Sequence, residues 1–478
     1  MKKFTLVSLA MMASASCFAQ TTLWNGENPE ISNKDYAGFW SDGKPELCDN
    51  PETNGINNSA HCLKFTINKD SKVVKLPFRE WMKPSMNGSK RISLMIKKNV
   101  NENVCVELSD PTDGSVGYWK KQVVWYSGDN KWQKLVFDFS SNGDFDNPGI
   151  MTITAQTNDF EGEQTVYIDN IVIEDAPRIN GKLFSEYNAE NPITGDLKLT
   201  GAWMKGASLN ADADWKENTY NDFEYFNSHA TDGVTSVDMR GTVTKDVDVA
   251  QFFKNPNTIV YADAAYDHAN VVVNGTAASV ELTDVNAFNA PYDFTAELVK
   301  LTRSLQKNGI NSFVLPFEVS ANELGASKVA TYKSCDLGNV ANFETAKSVV
   351  ANTPFLTTDA KEASELTFTN KSIVATPETL GTNFVGVYTR TNAQGKYGID
   401  EKGNLHKGGA GAYVNPFHAY LNVEGVTSVA FDGSVTAINN IAADKVANTA
   451  VYDLSGRRVN GKLQKGLYIM NGKKVVVK

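Results

Sequence analysis

The chain has little of what most enzyme chemistry is built from. Only 5 of its 478 residues are histidine and only 5 are cysteine. No two histidines stand in an HExxH or HxH spacing, and there is no CxxC, so the usual zinc and dithiol signatures are missing. GxSxG, Walker-type and GxGxxG patterns are missing as well. Basic residues are outnumbered, 46 against 55, giving a net charge of −9. That balance argues against a nucleic-acid partner, which needs a basic face. No stretch reaches 18 continuous apolar residues, so no transmembrane helix is expected. The paired carboxylates of a glycoside hydrolase stay open, because such residues lie far apart in sequence. The acidic–aromatic run NDFEYF, with Asp222 and Glu224 read on one strand face, is the best local cluster of this kind. Its simpler reading is a solvated strand edge. His268 and His418 read as hydrogen-bonded structural histidines.

Aromatic residues are plentiful, with 24 Phe, 17 Tyr and 8 Trp. Between residues 22 and 176 short alternating runs are separated by Gly, Asn, Asp and Ser. Leu63, Phe65 and Ile67 share one face, as do Ile92, Leu94 and Ile96, then Val104, Val106 and Leu108, then Leu135, Phe137 and Phe139. This period of two predicts at least seven strands and an antiparallel two-sheet sandwich. The 166–173 run is apolar on both faces and predicts an interior strand, with Tyr167, Asp169, Ile171 and Ile173 on one side. Trp132 heads a strand whose inner face is already filled and reads as a structural cap.

Ala176–Pro177–Arg178 interrupts the pattern and is taken as the end of a first domain. The region 179–432 is β-rich, with Asn274–Gly275 as a hairpin turn. The segment 341–350 reads as a short helix or a strand pair. The VTSVDMR run from Val234 resembles a leucine-rich-type strand with no second copy at a fixed period. Residues 433–478 form a linker and a small terminal unit. The fold class expected is therefore mainly β: a jelly-roll sandwich over 20–178, a β-rich middle, and a small C-terminal β-sandwich.

Residues 1–19 carry Lys2 and Lys3 before a short apolar stretch, with small residues at Cys17 and Ala19. This is the pattern of a signal peptide cleaved after Ala19; lipidation at Cys17 is the alternative. At the other end, VYDLSGRRV followed by GLYI and GKKVVVK closely resembles the sorting domain of bacterial type IX secretion cargo. That resemblance implies a secreted or outer-surface protein handled by the type IX machinery. An ordinary final hairpin, turning at Asn471–Gly472, is the plain alternative.

The stretch WQKLVFDFS, GIMTITAQTN and EGEQTVYIDNIVIED resembles galactose-binding-like jelly rolls, a fold of many carbohydrate-binding modules. The resemblance implies a structural calcium held by Glu27 and Asp169. A hydrogen-bonded Asp169 is the other reading, since a buried carboxylate must be paired, bonded or metal-bound. It also implies a polysaccharide or surface-glycan partner, contacted by loop aromatics: Trp40, Trp81, Tyr118, Trp119 and Trp125. For any one of these, packing at the core's edge is the simpler reading. Cys48 and Cys62 are close enough in sequence for a bridge; buried free thiols are the alternative. The leading expectation is non-catalytic glycan binding. The alternatives are a structural or adhesive surface protein with the jelly roll as spacer, and a hydrolase with an unrecognised site.

Overall fold

The computed structural model describes residues 21–27, 45–53, 56–77, 85–109, 120–140, 149–208, 219–245, 247–336, 339–435, 451–452, 458–459, 466–470 and 473–477. Trp40, Trp81, Tyr118, Trp119, the 1–19 segment and the Asn471–Gly472 turn lie outside them. The chain is mainly β and divides into two compact units. One runs to Thr302 and includes Thr367–Thr376; the other holds Arg303–Leu366 and the chain from Pro377.

The first unit opens with ten strands: β1 (Thr21–Trp24), β2 (Glu46–Asp49), β3 (His61–Ile67), β4 (Val73–Pro77), β5 (Lys90–Lys98), β6 (Glu102–Ser109), β7 (Lys120–Tyr126), β8 (Gln133–Asp138), β9 (Ile150–Thr154) and β10 (Gln164–Asp175). They form two antiparallel sheets. The first has the order β8-β5-β10-β3-β2, with β1 also on β10; the second has the order β4-β9-β6-β7. Every third-party face named from the alternation is inside: Leu63, Phe65, Ile67, Ile92, Leu94, Ile96, Val104, Val106, Leu108, Leu135, Phe137 and Phe139 share one core with Val124, Tyr126, Met151 and Ile153. Strand β10 is interior, between β3 and β5.

Its faces differ from the simple alternation. The core holds Val166 and Ile168 and then Ile171 and Ile173. The register shifts between Asp169 and Val172, and Asn170 sits at φ 46°. Asparagine tolerates this left-handed conformation, and the extra residue of the bulge reverses which side faces inward.

The first sheet does not stop at Pro177. After β11 (Arg178–Ile179), β12 (Lys182–Leu183) and β13 (Ile193–Thr200), strand β14 (Ala202–Ser208) pairs with β8 at Ser208–Leu135 and carries β15 (Thr219–Asn221) on its other side. Compactness thus divides the chain elsewhere than at residue 178. The NDFEYF run is not a strand: Asp222–His229 is a helix, α1, which buries Phe223 and Phe226. It precedes β16 (Ala230–Asp238), β17 (Val243–Lys245), β18 (Ile259–Ala262) and β19 (Val271–Val273). Strands β13, β16, β18 and β19 run parallel in sequence order, which gives the leucine-rich-like run in β16 its setting. Asn255, Asn257 and Asn270, all buried, bond backbone carbonyls of neighbouring turns. Asn274 and Gly275 make the tight turn into β20 (Thr276–Thr283), with φ of 50° and 78°. Strand β21 (Phe294–Leu305) pairs in parallel with β20.

In the second unit, Val340–Ala346 and Ser348–Val349 are strands, so the 341–350 segment is the strand pair. Phe343, Leu356, Phe384, Tyr397, Leu421 and Val429 form its core. The terminal strands Arg458–Val459, Val451–Tyr452, Gly466–Met470 and Lys473–Val477 make a four-stranded antiparallel sheet. Among the described residues no helix is long and apolar enough to cross a membrane.

Candidate functional site

The two sheets of the sandwich turn very different outer faces away from the shared core. On the first sheet the outer face is covered at β5 and β8. Val136 packs against Ala202 and Met204 of β14. Arg91 is almost fully buried, donating from Nε to Asp138 at 3.0 Å and from Nη1 to both oxygens of Asp222 at 3.1 and 3.2 Å. The Met204 amide adds a further donor to Asp222 at 2.9 Å. Burial pushes the Asp222 carboxyl above its ordinary pKa, against the pull of Arg91. Asp222 is therefore a buried ion-pair partner and Glu224 is exposed on α1; the two do not form a paired-carboxylate site.

On the second sheet the outer residues are those alternating with the core: Asn103, Cys105 and Glu107 on β6, Lys121, Val123 and Trp125 on β7, and Thr152 and Thr154 on β9. Trp125 is half-buried and stands opposite Asn103. Cys105 pairs with Thr154 at the end of β9, and Gln156 follows two residues later, on the side of the chain next to Asn103's strand. Trp125 and Asn103 are thus direct neighbours on β7 and β6, with Gln156 just past the end of the adjoining β9. Asn103 and Gln156 are each 3% exposed, and the side-chain oxygens Asn103 Oδ1 and Gln156 Oε1 have no hydrogen-bond partner. A buried carbonyl oxygen left unpaired costs free energy of about 1–3 kcal/mol. Both oxygens are enclosed, so ligand hydroxyl groups can complete them only when the side chains turn outward. Of the five aromatics singled out in the sequence, Trp125 is the one within the described residues. The two amides gave no sequence signal, because an amide at an outer strand position reads as an ordinary solvated residue.

Asp169 sits midway along β10, opposite Met95 of β5, and is fully buried. Its Oδ1 accepts the Asn170 amide at 2.7 Å and the Gly26 amide at 3.3 Å, and its Oδ2 accepts Asn57 Nδ2 at 3.0 Å. Gly26 is needed for this approach, since a Cβ there would lie 2.4 Å from the His61 carbonyl oxygen. Glu27 is exposed and accepts the His61 amide at 2.7 Å. These partners are N–H donors, which suit a carboxylate, whereas calcium requires six to eight oxygen ligands. The described residues around Asp169 do not fit that ion, and no group of three or more His, Cys, Asp or Glu among the described residues could hold a metal.

Trp132, just before β8, is buried and donates from Nε1 to Asn50 Oδ1 at 2.9 Å. His268 stacks on Phe253 with ring centroids 3.9 Å apart, and His418 Nδ1 lies 3.2 Å from Arg303 Nη2. Within the second unit a cleft of about 300 Å³ is lined by Lys396, Tyr397, Lys407, Asn422 and Glu424. The Lys396 ammonium bonds Asn422 Oδ1, and Lys407 lies 5.7 Å from the centre of the Tyr397 ring. The sequence did not single out this cleft, whose residues are scattered over three segments.

No protein-family model and no curated protein matches the chain. Among solved structures it is similar to an exo-β-agarase, at 13% identity over 33% of this chain and 25% of that one, with a TM-score of 0.26. It is similar to the CBM22-1 xylan-binding domain from Paenibacillus barcinonensis Xyn10C, at 11% identity over 33% and 92%, with a TM-score of 0.24. A structure described as "CBM4 structure and function" matches at 10% identity over 23% and 82%, with a TM-score of 0.19. Carbohydrate-binding modules thus recur among the similar structures. The matched region spans only about a quarter of the agarase. TM-scores this low leave fold and function to be argued from the chain's own residues.

Proposed function

We propose that the protein is a non-catalytic glycan-binding protein, delivered to the outer cell surface or the medium through the type IX secretion route. The observation that carries the binding reading is the Trp125–Asn103 pair on the outer face of the second sheet, with the unpartnered Gln156 oxygen just past the end of β9. A pyranose ring offers a C–H face to the indole, and its hydroxyl groups are donors for the two unpartnered amide oxygens. The loop aromatics Trp40, Trp81, Tyr118 and Trp119 remain part of the proposed binding surface. The non-catalytic reading is supported by Asp222, which is spent on Arg91. The export reading rests on the resemblance of the terminal strands' sequence to type IX sorting domains.

Affinity electrophoresis of the full chain against a panel of neutral and acidic polysaccharides tests the binding. Retardation by at least one polysaccharide, relieved by Trp125→Ala, is the expected result. A chain retarded by none, or a variant retarded as strongly as the parent, contradicts the proposal. Deleting residues 451–478 tests export separately: the truncated chain is expected to stay in the periplasm, and normal appearance outside the cell contradicts that route.

A further inference from the structure

We propose that Cys48 and Cys62 are a disulfide-forming pair that closes the 48–62 loop when the protein meets a disulfide oxidant. The inference stands on geometry and does not depend on glycan binding. Cys48 and Cys62 are direct Cα partners in the antiparallel β2–β3 ladder, between the pairs Leu47–Leu63 and Asp49–His61. Their sulfurs lie 3.7 Å apart. Facing positions on neighbouring antiparallel strands meet the Cα and Cβ separations that a bridge requires.

The other uses of two neighbouring thiols fit less well. A metal site needs further ligands, and the adjacent His61 faces carboxylates instead, with Nδ1 3.6 Å from Glu27 and Nε2 3.9 Å from Asp49. A catalytic thiol needs a basic neighbour that favours the thiolate. Here burial pushes both thiols up, Cys62 most of all. The remaining described cysteines are placed elsewhere: Cys105 faces Val123 and Thr154, and Cys335 lies in the second unit.

The bridge has a structural purpose in the sandwich. The loop between the two cysteines supplies Asn50 to Trp132, Asn57 to Asp169 and Ser59 to Asn170. Linking its neck holds those three contacts together from one end. Cys48 is half-buried and Cys62 fully buried, so oxidation begins at Cys48. Its thiolate attacks a sulfur of the oxidant RSSR, forming a Cys48–S–S–R mixed disulfide and releasing RS⁻. Cys62 gives up its proton and attacks the Cys48 sulfur, expelling the second RS⁻. The protein loses two protons and two electrons, and RSSR becomes two RSH after protonation.

The test uses the full chain treated with oxidised glutathione, then denatured and alkylated before digestion. Trypsin leaves both cysteines in one peptide, residues 35–64, because Lys44 precedes proline. Cleavage after Glu52 then separates the two cysteines unless they are bridged. The expected result is that the halves stay joined until reduction and that neither cysteine is alkylated beforehand. Cys48→Ser is expected to leave Cys62 free to alkylate, and Cys62→Ser to leave Cys48 free. Reduction should lower the parent's melting temperature and leave that of Cys48→Ser/Cys62→Ser unchanged. Full alkylation of both thiols before reduction overturns the proposal. So does a bridge to Cys105 or Cys335, or glutathione adducts alone.

Discussion

The two sheets of the N-terminal sandwich share one core but spend their outer faces differently. On the outer face of the first sheet the buried Arg91 is answered by Asp138 and Asp222, and Asp222 by the Met204 amide, although Gln164 at the start of β10 also has a buried side-chain oxygen without a hydrogen-bond partner. On the second sheet two equally buried amide oxygens are left unanswered beside a half-buried indole. A fold that can satisfy a buried guanidinium can satisfy an amide. Under the binding proposal, the outer face of the first sheet serves assembly and that of the second is kept for a ligand, since unpaired buried groups persist where another requirement holds them.

The largest effect is expected on the assembly face. Arg91→Met leaves Asp222 as an uncompensated buried charge and should cost about 3–5 kcal/mol of stability in a denaturant titration. Arg91→Met combined with Asp222→Leu should recover most of that loss. A single variant as stable as the parent would mean that the covered face is not held by this cluster. On the ligand face Trp125→Ala should cost about 1–3 kcal/mol of polysaccharide binding, by analogy with other aromatic anchors. Its melting temperature should change little; a large fall would return Trp125 to the core.

Two smaller effects concern Lys98 and Asp169. Lys98 is fully buried, its ammonium held by the Glu102 and Ala155 carbonyls at 3.1 and 2.8 Å. Burial pulls its pKa down from 10.5 to about 7. Between those values the unfolded chain holds more protons than the folded chain, so stability should rise as pH climbs from about 7 toward 10.5. Lys98→Met should flatten that rise in melting curves taken across the window; an unchanged slope assigns it to other groups. Chelation is expected to have the smallest effect. With Asp169 satisfied by N–H donors, a chelator should leave the melting temperature where it was. A clear fall, abolished by Asp169→Ala, would restore the calcium reading.

The core of the sandwich was legible because burial on one face forces strict alternation, as in Ile92, Leu94 and Ile96. The alternation misled at Asn170, where one residue in a left-handed conformation reversed the faces of β10. Asp222 misled for another reason. Its run is short enough to be written as helix or strand, and tertiary packing of Phe223 and Phe226 decided for helix. The parallel order of β13, β16, β18 and β19 was hidden by their unequal spacing. At the site, the aromatic component was readable in Trp125. Asn103 and Gln156 were not, because their significance comes from partners they lack in three dimensions.

The most direct measurement is made on the double variant Asn103→Leu/Gln156→Leu, with binding and stability followed together in the full chain. If the amides are kept for a ligand, replacing them removes two unsatisfied buried groups. The melting temperature is then expected to hold or rise while polysaccharide binding is lost. A variant that melts lower and still binds as the parent does would show that the amides serve the fold, and would contradict the division between the two faces.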